Sequence, residues 1–164
     1  MKKLLILSLL VTLYFTSIAQ ESVQGFRVGG GLSVVAPIGT NLKAYSVGVG
    51  LDLLGQYGVS SQLAITGDVG YTTIFAKDDN VDAFNIIPIR AGIRFFPSNK
   101  FFLGGKAGVG ILTGSGNSTS GFAYSVGAGF RMDDKLDIGL NYDAVSKNSV
   151  SFSYLGLRLG YFFN

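Results

Sequence analysis

The chain has 164 residues, of which only 14% are charged, with 24 glycines, no cysteine, no histidine and a formal net charge of +3. That length suits one domain, and so low a charge content, against about 25% in soluble domains, argues against an ordinary water-soluble globule. Without Lys2 and Lys3, eleven basic residues face ten acidic ones and no basic run remains, so nothing favours nucleic-acid binding.

Residues 1–19 read as a secretory signal peptide. Lys2 and Lys3 supply the positive region, Leu4 to Phe15 the apolar core, and Ser17-Ile18-Ala19 the small-residue cleavage site, with the cut after Ala19. Leu4 to Ala19 is shorter than the ~20 residues a spanning helix needs. Residues 20–24 form a short lead, and 25–164 the domain proper.

From Gly25 onward, bulky apolar residues alternate with small or charged ones. Tyr45, Val47, Val49, Leu51 and Leu53 share one parity, and Ser46, Gly48, Gly50 and Asp52 the other. Side chains on a strand point alternately to opposite faces, so each such stretch is a ribbon with one greasy face. Eight ribbons follow in chain order: Gly25–Ala36, Lys43–Leu54, Ser61–Ala76, Asn85–Phe96, Phe101–Thr113, Phe122–Met132, Leu136–Ser146 and Val150–Phe163. Gly55–Ser60, Pro97–Lys100 and Asp133–Lys135 read as tight turns. Lys77–Phe84 and Gly114–Gly121 read as longer polar loops, and Pro37–Leu42 and Lys147–Ser149 as brief connections. The expected fold is all-β, an eight-stranded antiparallel up-and-down transmembrane β-barrel, with the short turns and both termini periplasmic.

Charge chooses the lipid face. Arg27, Asp52, Asp68, Arg90, Arg94, Lys106, Arg131, Asp137, Asp143 and Arg158 all lie opposite the bulky apolar residues of their strands. An Arg or Lys facing lipid at the bilayer centre costs about 2–4 kcal/mol. These ten are therefore expected inside, paired as a structural charge network in a packed polar lumen. A narrow conducting path is the functional alternative for the same residues. A soluble lipid-binding barrel is the inverse arrangement, and would leave Gly48, Gly50, Gly108, Gly110, Gly127 and Gly129 facing water. Aromatic belts are expected at both edges: Phe26, Phe95, Phe101, Phe130, Tyr161 and Phe163 at one, Tyr45, Tyr71, Phe75, Phe122, Tyr124 and Tyr142 at the other. Phe84 and Phe152 are placed with the second group.

Two places resist this register. Pro88 has no N–H for a ladder, so a strand start or a bulge is expected there. In the last ribbon, Val150 and Phe152 share a parity that Leu155, Leu157, Leu159, Tyr161 and Phe163 do not. Either a bulge near Tyr154 or an inward aromatic at that end accounts for it.

Ile86-Ile87-Pro88-Ile89-Arg90-Ala91-Gly92-Ile93-Arg94-Phe95-Phe96 and Leu157-Arg158-Leu159-Gly160-Tyr161-Phe162-Phe163 echo one another as apolar-Arg-x-Gly-x-x-Phe. With these strands the chain resembles the outer-membrane β-barrel domain family, the small OmpA/OmpX-like and PorT-like barrels of Bacteroidota. The resemblance implies a Gram-negative outer-membrane location. It also implies insertion by the barrel-assembly machinery, which a last strand ending near Phe163 would address, and outer-membrane lipid and lipopolysaccharide as surroundings of a monomer.

Chemistry is poorly provided for. The single glutamate, Glu21, lies ahead of the first ribbon, and without imidazole or thiol the usual acid–base, thiolate and zinc arrangements are missing. Asp78-Asp79-Asn80-Val81-Asp82 begins like a calcium loop, but Ala83 stands where the turn glycine belongs and Ile89 where the bidentate glutamate belongs. Gly48/Gly50, Gly108/Gly110 and Gly127/Gly129 do not extend to G-x-G-x-x-G and read as small lumen residues. Asn117-Ser118-Thr119 reads as flexible polar linker. The expectation is a non-enzymatic envelope protein with a structural or surface-loop role and no cofactor or metal. The alternative is a component of a secretion or assembly machinery.

Overall fold

The computed structural model describes residues 25–39, 42–78, 82–114 and 117–164. The signal peptide and the lead fall outside the described residues, as do Asp79, Asn80 and Val81. Eight strands follow in order: β1 (Gly25–Ile38), β2 (Tyr45–Gly58), β3 (Leu63–Ala76), β4 (Phe84–Phe95), β5 (Phe101–Gly114), β6 (Asn117–Arg131), β7 (Leu136–Lys147) and β8 (Val150–Phe162). Each pairs antiparallel with its neighbours, and β8 returns to β1, closing the barrel. Closure leaves no free sheet edge, which is the condition for strands to cross a bilayer.

The first and last described residues, Gly25 and Asn164, and three turns lie at one end. In each of those turns a short polar side chain caps the backbone. Ser60 Oγ accepts from the N–H groups of Gln62 and Leu63, Ser98 Oγ from that of Phe101, and Asp133 Oδ1 from those of Lys135 and Leu136. At the far end, Asn148 and Ser149 take positive φ of 48° and 66° and join β7 to β8 in two residues. Positive φ at both central residues matches the right-handed twist of the flanking strands.

The sidedness is as the alternation demands. Leu32, Leu51, Ile65, Ile89, Val126, Leu140 and Leu157 are all more than half exposed on the outer surface. The barrel therefore presents hydrocarbon outward, and a water-soluble carrier with an apolar interior is excluded.

Four details differ from the sequence reading, and an open choice in the last strand is decided. Strand β2 runs on through Gly55–Gly58, which pair with Gly25–Val28, so that turn is only 59–62. The expected loop Gly114–Gly121 is mostly strand: Gly114 pairs with Asn117 and Thr113 with Ser118. Serine, threonine and glycine look like linker, yet they hold a ladder where the two backbones already run side by side. Pro88 sits mid-strand without a bulge. Its rungs to β5 are intact, and only the two opposite Gly70 and Tyr71 on β3 are skipped, with the same register on either side. In the final strand the inward aromatic, and not the bulge, accounts for the change of parity: its ladders to β7 and β1 are unbroken through Tyr154, and Phe152 and Tyr154 turn into the barrel. The bulge lies between Tyr45 and Gly48. It reverses the facing of Tyr45, which packs on Phe84 (ring centroids 5.7 Å apart) within the interior cluster rather than on the outer belt.

Candidate functional site

The lumen is where the polar groups converge, and it is built in three layers. At the far end Val35, Ile74, Ile86, Leu112, Val145 and Tyr154 are at most 4% exposed and meet across the barrel as an apolar plug. Tyr45, Phe84 and Phe152 pack against it. Tyr45 apart, these residues share the inward parity of the charges, so the lumen is apolar at its far end and polar from mid-height toward the termini.

The middle layer is ionic and falls into two groups. In one, Arg158 forks onto Asp52, Nε to Oδ2 at 2.8 Å and Nη2 to Oδ1 at 2.7 Å, and its Nη1 donates to Asp137 Oδ1 at 3.0 Å. Arg94 Nη1 donates to the other oxygen of Asp137 at 2.7 Å and to Gln56 Oε1 at 3.4 Å. In the other, Arg90 donates through Nε and Nη2 to Asp68 Oδ2, at 3.2 and 2.7 Å, and through Nη1 to Asp143. Lys106 Nζ stands 3.3 Å from Asp68 Oδ1. Each group holds two cations and two carboxylates. Breaking a buried pair by removing one partner costs about 3–5 kcal/mol, so this balance is a condition of the fold. Glycine makes room for it. A Cβ on Gly31 or Gly160 would collide with the Arg158 guanidinium.

The third layer, toward the termini, stacks guanidinium groups on rings. Arg27 lies 4.1 Å from the Phe162 centroid, Arg94 4.4 Å from Phe102 and Arg131 4.9 Å from Phe96, a geometry that attracts a cation to the ring face. Of the ten charged residues singled out by parity, eight form the two ionic groups, while Arg27 and Arg131 occupy this mouth. Nothing in strand parity distinguishes a guanidinium that finds a carboxylate from one that finds a ring.

Between the ionic groups and the plug lies a cavity of about 40 Å³, touched by Asp52, Thr72, Arg90, Lys106, Asp143 and Tyr154. It has room for about two or three waters. Each of the four carboxylates already accepts from at least one cation. Among the described residues no group of three or more His, Cys, Asp or Glu side chains could hold a metal. Gln56 Nε2 and Thr66 Oγ1, opposite one another on β2 and β3, are buried without a hydrogen-bonding partner among the described residues.

On the outside, Phe26, Phe95, Phe130, Tyr161 and Phe163 are exposed near the terminal end, with Phe101 half-buried against Phe130 at 5.2 Å. Tyr71, Phe75 and Phe122 are exposed toward the far end, beside half-buried Tyr124 and Tyr142.

Several solved barrels share this architecture. Ail, the attachment invasion locus protein of Yersinia pestis, superposes with a TM-score of 0.60 at 19% identity, over 86% of this chain and 100% of its own. Neisserial surface protein A gives 0.61 at 16%, over 87% and 98%. The N-terminal barrel domain of OprF from Pseudomonas aeruginosa gives 0.62 at 13%, over 85% and 98%. At such identities the likeness is one of fold. No protein of curated function matches by sequence. The model of the outer membrane protein beta-barrel domain matches residues 5–163, and the chain belongs to that family.

Proposed function

We propose that this protein is a monomeric, non-enzymatic component of the outer membrane that contributes to envelope structure, with its lumen shut to ions. The observation that carries the reading is the lumen itself. A plug of side chains at most 4% exposed lies in series with two neutral ion clusters, and an ion would have to displace both. In this reading residues 1–19 are removed, the termini and the three capped turns face the periplasm, and the two-residue β7–β8 turn faces outward. Surrounding lipid and lipopolysaccharide cover the apolar band, and the barrel-assembly machinery inserts it.

Planar bilayers test the closed lumen. The protein should add no steady conductance, and resolved openings would replace this reading with a narrow channel. Intact mass of the protein from outer-membrane fractions tests processing, with Gln20 expected first. Recovery of the barrel in a stable complex after crosslinking would favour the secretion-machinery role instead.

A further inference from the structure

The outer face of β6–β8 at the far end differs from the rest of the band. Phe122, Tyr124 and Tyr142 form a chain of rings, with centroids 6.1 and 6.3 Å apart. Ala144 points outward on β7, opposite Tyr124 on one side and Ser153 on the other, yet it is only 1% exposed. Rings standing away from the sheet would leave that methyl open, so the tyrosines lie down over it. Beside them runs a row of hydroxyls on the same face. The Tyr142 hydroxyl donates to Ser153 Oγ at 3.0 Å, and Ser146 Oγ donates to Ser151 Oγ at 3.0 Å. No charged residue shares this outward parity on β6, β7 or β8. Directly toward mid-barrel, Leu140, Leu155 and Leu157 continue the exposed hydrocarbon surface.

Flat rings with an adjoining hydroxyl row suit an uncharged sugar ring, whose C–H face packs on aromatic surface while its hydroxyls exchange hydrogen bonds. Continuity with the leucines below supplies a place for acyl chains under that sugar. We propose that this patch holds the neutral saccharide of a glycolipid in the leaflet surrounding the far end. The proposal rests on the membrane placement given under Proposed function. Because the patch lacks charge, the contact reads sugar rather than phosphate and does not depend on ionic attraction.

The test uses the folded barrel in phosphatidylcholine nanodiscs doped with a glucosyl diacylglycerol, with co-purifying lipid counted by native mass spectrometry. The wild type should retain the glycolipid in preference to phosphatidylcholine. That preference should survive about 1 M salt, where screening acts within roughly 3 Å. Tyr124→Ala with Tyr142→Ala should reduce it by about tenfold. Tyr71→Ala, an exposed tyrosine on β3 away from the patch, should leave it intact. Tyr142→Phe keeps the ring and should keep most of the preference, which guards against a double variant that folds poorly. No preference in the wild type, loss in salt, or equal loss in Tyr71→Ala would overturn the glycolipid site while leaving the membrane reading standing. A barrel that does not enter the bilayer at all would overturn both.

Discussion

Arg158 on β8 and Asp52 on β2 grip each other over the intervening strand β1, with two parallel contacts of 2.8 and 2.7 Å. Gly31 of β1 lies beneath the pair, and the missing side chain is what lets the guanidinium cross. A planar fork on a carboxylate fixes direction as well as distance, so this contact ties together three strands that the backbone ladders already space.

Asp52→Ala should lower stability by about 3–5 kcal/mol, because it leaves a group of two cations and one carboxylate enclosed. Combining Asp52→Leu with Arg158→Met leaves Arg94 and Asp137 as a balanced pair and should recover most of the loss. Urea midpoints in lipid vesicles, followed by heat-modifiable gel migration, measure both.

Gly31→Ala should cost about 1–3 kcal/mol, the usual range for overfilling a packed interior. The obstruction is the Arg158 head group, so the same change in an Arg158→Met background should cost much less. A double-mutant cycle reads that coupling, and additive losses would show that Gly31 has some other role.

Leu51→Arg puts a charge on the outer surface halfway along β2 and should cost about 2–4 kcal/mol, whereas Tyr57→Arg near the strand end should cost about 0–1 kcal/mol. The comparison measures depth in the bilayer. Equal penalties would contradict a hydrocarbon slab centred on the barrel.

The N–H of Phe96, just past β4, donates to the carbonyl of Gln62, just ahead of β3, so even-numbered residues of β4 direct their backbone groups to that strand. Pro88 is one of them and has no N–H to offer Gly70. The Gly70 carbonyl is therefore left without that donor, while the rungs of Asp68 and Thr72 are present. In Pro88→Ala the new N–H at position 88 should find this carbonyl and exchange about as slowly as that of Arg90; fast exchange there would show that the strands are parted at Gly70 for another reason.

Parity made the barrel readable, because lipid penalises a charge on the wrong face so heavily that all ten mid-strand charges had to share the other one. It fails where alternation itself is interrupted. The slip between Tyr45 and Gly48 turns a tyrosine inward, and no residue in Tyr45-Ser46-Val47 announces it. The plug was legible in principle: Val35, Ile74, Ile86 and Val145 carry the same parity as the charges of their own strands. Small residues dominate that face and mask the four large ones. Strand β6 begins earlier than composition suggests because hydroxyl and glycine positions are settled by the neighbouring backbone, not by their own preference. Tyr124 and Tyr142 read as belt residues in the sequence, and three-dimensional packing alone brings them down over Ala144.

Each ion cluster sums to zero by itself, which has an electrical corollary. The work a transmembrane voltage can do scales with the charge it moves, about 2.3 kcal/mol per elementary charge per 100 mV. Shifting either cluster whole along the axis moves none. Membrane potential therefore has no net charge to pull on in either cluster, and a change in potential gives the middle layer no push toward opening.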